Sequence, residues 1–319
     1  MRSKHLYFFY TFVLVSIAIS PFLGSVELSL SKIFDVSSPE HRIFFDLRIP
    51  RLLLCFAAGA SLALLGAIYQ MLFHNPLAEP YVLGVSTAST LGVFLFEHYL
   101  SQYLGTYFQG IAGLISAVLY SLLLITLSKK NLRNPERIIL FGMGSNFFLS
   151  SVLFLLVSYF QSAIGSGSVR WLFGQVPWLD MQMALIIFGS SAVICTLLLL
   201  QSKKIDILSL GDGVAKSMGV DPQTSRRNIL ILSSFLLGMT SSAIGTVGFV
   251  GLVAPHAVRL WLKPNQTRPL FFYSLILGGA FLAFSDAISR SALPPVEFPV
   301  GVVTTFLGGP IFLYLLWKR

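Results

Sequence analysis

Charge is what this sequence has least of. Only 11% of its 319 residues are Asp, Glu, Lys or Arg, against about a quarter in a soluble domain. A chain this poor in charge cannot present a water-facing surface, which excludes the ordinary soluble classes. Cysteine is scarce too: Cys55 and Cys195 both lie inside apolar runs. They read as small buried hydrophobes, and neither a disulfide framework nor a cysteine metal site is expected. No His or Cys partner stands at metal-ligand spacing from His256. H-E-x-x-H and G-x-S-x-G are both missing, so an intramembrane enzyme has no support. There is no low-complexity linker and no stretch that reads as a soluble domain.

What is present is apolar. Hydrophobic residues make up 55% of the chain and the mean hydropathy is +0.78. Crossing about 30 Å of hydrocarbon takes roughly 20 apolar residues. Segments of that kind recur at 6–24, 52–73, 82–99, 108–128, 138–160, 181–201, 228–245, 249–262, 269–290 and 299–316. Glycines and Pro255 interrupt the seventh and eighth. The N-terminal MRSKHLYFFYTFVLVSIAIS has the basic start and apolar core of a signal peptide. No small-residue cleavage site follows, so it reads as a retained first helix. The expectation is an all-α membrane protein, one domain over 1–319, with ten transmembrane helices.

The net charge of +9 would raise nucleic acid as a partner for a soluble protein. Here the cations sit between apolar runs, where they report topology, and no nucleic acid is expected. With the N-terminus inside, the outer segments hold Lys32, Arg42, Arg48, Arg51, Arg170 and Arg290, and the other sixteen of the 22 basic residues lie inside. The positive-inside rule then puts both termini in the cytoplasm and makes the number of spans even.

The largest cytoplasmic insert, about 205–225, contains LGDGVAKSMG at Leu210–Gly219. Its Lys-Ser pair suggests a phosphate loop. G-x-x-x-x-G-K-[ST] would need Gly at 210 and 215, and the chain has Leu210 and Ala215. The glycine register that cradles phosphate is absent. A capped helix explains the stretch better: Ser209 with Asp212 as a capping box, a helix over Gly213–Met218, and Gly219 at a left-handed C′ position. Asp221-Pro222 then starts a second helix. Leu210, Val214 and Met218 form one apolar stripe at i, i+4 and i+8. Such a stripe either packs under the membrane helices or docks into a partner.

Several further stretches complete a pattern: RIPR at Arg48–Arg51, GAIYQMLFHNPLAEPYVLGVS at Gly66–Ser86 and WLFG at Trp171–Gly174. After LGDGVAKSMGVD come GFVGLVAPHAVRL at Gly248–Leu260, SDAISR at Ser285–Arg290 and EFPVGVVTTFLGGPIFLYLL at Glu297–Leu316. In this order they resemble the FecCD-type permeases of ABC importers, which carry ferric siderophores, haem and cobalamin across the bacterial inner membrane. Phe298 and Thr246 depart from the usual Leu and Pro.

The resemblance implies a BtuC-like type II importer fold of ten helices, working as a homodimer with its pathway on the dimer axis. It implies two ATPase subunits on the cytoplasmic face and a periplasmic or lipoprotein substrate-binding protein on the other. The chain would hold no cofactor; ATP-Mg would sit on the partner ATPase. Leu210–Val220 matches the family's coupling helix, with Leu210, Val214 and Met218 as anchors in a groove and Asp212 and Lys216 as polar contacts. Arg48, Arg51 and Arg290 match the docking arginines, whose planar forks suit carboxylates. They can equally anchor helix ends, and Arg290 can pair with Asp286 four residues earlier. Helices five and ten line the family's pathway, which makes Gly142, Gly144, Ser145 and Asn146 lining or gate candidates. Small residues there also serve helix packing.

Asp286 is the most intramembrane acid, and burying it costs roughly 2.5–3.5 kcal/mol at a helix centre. A secondary transporter or channel would need such groups to couple ions. Little else of that kind is mid-span, and a structural pair with Arg290 is the simpler expectation.

Overall fold

The computed structural model describes residues 2–105, 108–127, 135–160, 173–294 and 296–317. Trp171 and Leu172 of the WLFG landmark, and the outer cation Arg170, lie outside them. The described residues are helical apart from turns and one isolated bridge, Leu293 with Val296. Ten helices of twelve residues or more run through the described residues: α1 (Arg2–Ile19), α2 (Ile49–Leu72), α3 (Val85–Tyr99), α4 (Gln109–Leu127) and α5 (Pro135–Phe160). They continue as α6 (Met181–Leu200), α7 (Pro222–Ile244), α8 (Val250–Trp261), α9 (Thr267–Ser291) and α10 (Val300–Trp317). Hydropathy therefore located the ends of each helix to within six residues. Among the described residues, six helical stretches are long and apolar enough to cross a membrane: Pro39–Leu72, α4, Arg137–Phe160 of α5, α6, α7 and α9. Leu6–Ile19 and Val300–Tyr314 are shorter apolar helices.

The helix starts follow from local sequence. Asp180 caps α6 by accepting from the Met183 amide at 3.1 Å. Asp221 caps α7 by accepting from the Thr224 amide at 3.0 Å, with Pro222 at the first helical position. The Thr224 hydroxyl and amide hold the exposed Asp221 carboxyl below its ordinary pKa; hydrogen bonds to the charged form favour it.

α2 is the central helix, buried on nearly every side and packed against α6, α7, α8 and α9. Its small residues make this possible. Gly59 lies against the backbone of Gly278 on α9, and Gly66 against that of Gly251 on α8, so close that neither site has room for a methyl group. Small residues let apolar helices approach backbone to backbone, where dispersion and packing hold them together.

The chain is broken between α7 and α8. Gly245 takes φ 73° and ψ −156°, residues 245–248 are not helical, and α8 is only 12 residues long. At 1.5 Å per residue that is about 18 Å of rise, too short to cross hydrocarbon alone. Open backbone in a hydrocarbon surrounding is tolerated only when protein covers it. Here the 173–176 segment and the first turn of α10 do so. The Gln175 amide donates to the Ile244 carbonyl at 3.0 Å. Gly174 and Gly301 both press on the Thr246 carbonyl, where any side chain would collide.

Two ends of the bundle can be told apart by their contacts. One gathers the start of α1, the end of α2, the 202–219 insert, the start of α7, the end of α8 and the start of α9. The other gathers Ser20–Val26, the start of α2, the end of α9 and Glu297. These are called the insert end and the arginine end.

Candidate functional site

The insert consists of two short helices, Ser202–Leu208 and Asp212–Ser217. The expected capping box does not form. The Ser209 hydroxyl donates back to the Asp206 carbonyl at 2.6 Å, and the N-cap of the second helix is Gly211 at φ 102°. A left-handed Gly219 (φ 78°) does end the segment, and Val220 donates to the Ala215 carbonyl at 2.9 Å. Asp221-Pro222 starts α7 itself rather than a separate short helix.

The Asp212–Ser217 helix has an inner and an outer face. Ala215 is fully buried, whereas Leu210, Val214 and Met218 are 62%, 44% and 55% exposed. The apolar stripe points away from the protein's own helices. Lys216 is exposed beside it. Asp212 is not a free surface charge: its two oxygens take the Arg226 fork at 2.7 and 3.2 Å. Arg226, in the first turn of α7, is 2% exposed and is among the largest fully buried side chains. Sequence reasoning counted it only as a cytoplasmic cation. Its spacing from Ile229, Leu230 and Ser233 puts it on the buried face of α7, a signal legible in the sequence. Two further bonds tie the insert down. His74, after α2, meets the Ser209 carbonyl at 2.9 Å, and the Thr267 hydroxyl at the start of α9 donates to Asp206.

At the opposite end the three arginines turn inward. Arg51 donates from Nε and Nη2 to Asp286 Oδ1 at 3.0 and 2.9 Å, and from Nη1 to Glu297 at 3.0 Å. Its guanidinium stacks 4.5 Å over the Trp178 ring. Arg290 donates to Asp286 at 3.0 Å and to the Ser20 carbonyl at 3.1 Å. Arg48 donates to the carbonyls of Pro21, Phe22 and Val26. The expected Asp286–Arg290 pair is thus present, with Arg51 as a third member. All three arginines are buried, so their forks close the arginine end from within instead of projecting from it. Burial of unpaired charge is costly, and the backbone carbonyls and carboxylates near these helix ends are where the donors find partners.

The four candidates on α5 separate. Gly142 packs against Leu83. Ser145 bonds Tyr120, which also donates to the Leu83 carbonyl at 2.9 Å. Asn146 is buried and accepts from Thr87 at 2.6 Å. These three fasten the first half of α5 to α3, to the turn before it and to α4, and of the four only Gly144 stays open, with nothing within 4 Å of where a Cβ would stand. The free face of α5 runs farther along the helix. Phe147, Ser150, Ser151, Phe154, Leu155 and Ser158 line a shallow concavity of about 610 Å³ that holds no charged side chain.

One buried acid was missed. Glu79, in the turn after α2, accepts from the Phe249 amide at the start of α8, and burial pushes its pKa up to about 7. Phe249 itself is left-handed (φ 69°) and packs against Gly308 of α10. The signal was its place between Ala78 and Pro80 in an otherwise apolar stretch.

The FecCD transport family matches residues 12–318. The chain belongs to that family. It is 35% identical over 294 residues to the vitamin B12 import system permease protein BtuC of Vibrio cholerae, covering 92% of this chain and 88% of that one. It is 31% identical to the hemin transport system permease protein HmuU of Yersinia pestis, over 93% and 90% of the two chains. It is 29% identical to the iron(3+)-hydroxamate import system permease protein FhuG of Bacillus subtilis, over 97% and 95%. A solved metal-chelate type ABC transporter in an inward-facing conformation superposes with a TM-score of 0.84 at 26% identity, covering 99% of this chain and all of that one. The FecCD family consists of ABC importer permease subunits, so this multi-pass chain is a transport component and not an enzyme; ATP is hydrolysed on a separate subunit.

Proposed function

We propose that the chain is the membrane subunit of an ATP-driven importer that moves a large metal chelate across the bacterial inner membrane. A ferric siderophore is the first choice of cargo, with haem and cobalamin beside it, since relatives for all three cargo classes align over nearly the whole chain. The subunit has ten spans with both termini cytoplasmic, the short α8 crossing together with the covered 245–249 segment. It works as a dimer with two ATPases on the insert end and a binding protein on the arginine end.

The observation that carries this reading is the insert. It offers an apolar stripe outward while polar bonds hold its inner side to α2, α7 and α9. A helix of six residues is far too short to be stable alone, and an exposed apolar stripe on a firmly held helix suits a groove on a partner. Docking at the arginine end rests on the surface those arginines support, since their own forks are engaged inside. The neutral, hydroxyl- and phenyl-lined face of α5 suits passage of a bulky chelate, because it offers no strong ligand to strip the metal. A secondary transporter is disfavoured by Asp286, whose charge is already shared by two arginines.

The test is reconstitution in vesicles with the cognate ATPase and binding protein, with cyanocobalamin, haemin and a ferric hydroxamate as probes. ATP-dependent uptake of one of them is expected. Uptake that proceeds without any ATPase would sink the reading.

A further inference from the structure

The Asp212–Ser217 helix is flanked by two glycines with positive φ, Gly211 at 102° and Gly219 at 78°, and neither has any atom close to where a side chain would begin. Both therefore stand in open space, in a conformation that other residues rarely adopt. They are natural pivots. A six-residue helix between two pivots has no rigidity of its own. Push on its outer stripe, and without further restraint it would swing rather than transmit.

The restraint is Arg226. Its guanidinium is buried at the base of α7 and grips both oxygens of Asp212 at 2.7 and 3.2 Å. The Asp212 side chain is 30% exposed while that of Arg226 is 2% exposed, so the bond joins a surface element to the bundle interior. A planar bidentate fork fixes orientation as well as distance, which a single point contact would not. The other polar ties hold the preceding 202–209 segment, upstream of Gly211; on the pivoting helix itself the buried Ala215 adds an apolar contact that fixes no orientation, so direction rests on Asp212.

We propose that the Asp212–Arg226 pair is the clamp that makes the insert and α7 move as one body. Arg226 is a positioning residue: it touches neither nucleotide nor cargo. α7 leads directly into the broken 245–249 segment, whose Phe249 packs on α10. Displacement of the insert is thereby delivered to the point where the α7–α8 chain meets α10. This rests on the reading that the insert seats on the ATPase, and it adds that seating alone does not couple.

The test uses the full permease, alone and assembled with its ATPase and binding protein. Arg226→Met keeps the buried stem and removes the fork. Asp212→Asn changes only the more exposed partner and stands in should Arg226→Met not fold. Hydrogen exchange of the 213–218 amides in the permease alone is expected to quicken at least tenfold in either variant. In the assembled complex, ATPase binding is expected to stay within about threefold. Chelate imported per ATP, with cyanocobalamin, haemin and a ferric hydroxamate as probes, is expected to fall at least fivefold. Arg226→Lys should restore only part of the loss. Unchanged exchange, or unchanged import per ATP in a folded variant, overturns the clamp. Failure of the seating itself reads out separately, as ATPase binding that survives charge placed on the outer stripe.

Discussion

Arg51 and Asp286 lie 235 positions apart in the chain and meet at the arginine end, where Nε and Nη2 of the arginine both reach one carboxylate oxygen at 3.0 and 2.9 Å. Arg290 takes the other oxygen at 3.0 Å. One carboxylate thus bridges two buried cations and joins α2 to α9. Glu297 adds a third bond from the more exposed side. Removing one member of a buried pair costs about 3–5 kcal/mol, because the remaining charge is stranded. Asp286→Asn should therefore lower the unfolding temperature of the purified permease well beyond Glu297→Gln. Equal losses in thermal denaturation would show that the network shares its charge evenly and that Asp286 is not its centre.

The outer stripe of the insert makes a second prediction. Val214→Asp with Met218→Asp places two charges on the outward face of the insert, at positions 44% and 55% exposed. Surface substitutions of this kind usually shift stability by no more than about 0.5 kcal/mol. Thermal stability should hold while ATPase association, followed by co-purification, falls at least tenfold. Intact association would mean that another surface carries the ATPase.

Glu79 sets a pH dependence. Burial raises its pKa to about 7, above the unfolded value near 4.3. Between those values the folded protein holds the proton more tightly than the unfolded chain. Its contribution to stability is therefore fully present below pH 4.3 and is lost as pH rises through 7. Glu79→Gln keeps an acceptor for the Phe249 amide and removes the titration. The fall in unfolding temperature between pH 5.5 and 8 should flatten in that variant. A wild-type profile already flat over this range would show that Glu79 is charged throughout.

Two glycines should behave in opposite ways. A methyl at Gly66 would enter the space of the Gly251 backbone, whereas one at Gly144 meets nothing. Overpacking typically costs about 1–3 kcal/mol, and here rigid backbone is the obstacle. Gly66→Ala should destabilise by at least that amount in thermal denaturation, while Gly144→Ala leaves stability unchanged. A larger side chain at Ser151, on the free face of α5, should slow uptake in vesicles with no loss of folding.

Much of the fold was legible because hydropathy is a local property. The ten apolar runs coincide with the ten long helices, and the stripe of Leu210, Val214 and Met218 followed from the period of a single turn. The inward turn of Arg48, Arg51 and Arg290 was not legible. Near a membrane surface an arginine has the same local signature whether it faces water or a carboxylate on another helix. The same holds for Asp212, whose fork partner lies 14 residues on, and for Asn146, whose partner Thr87 lies 59 residues back.

By itself, the sequence determined that this chain is a helical membrane protein, where its helices run, and that a polar insert with a short helix interrupts them, since each depends on a few neighbouring residues. The tertiary structure alone decided which charges are spent inside. Arg226 closes on Asp212, Arg51 on Asp286 and Glu297, and the 245–249 break is covered by the 173–176 segment and α10. A buried charge or an open backbone group must find a partner wherever the fold supplies one, and that choice is made only when distant helices come together.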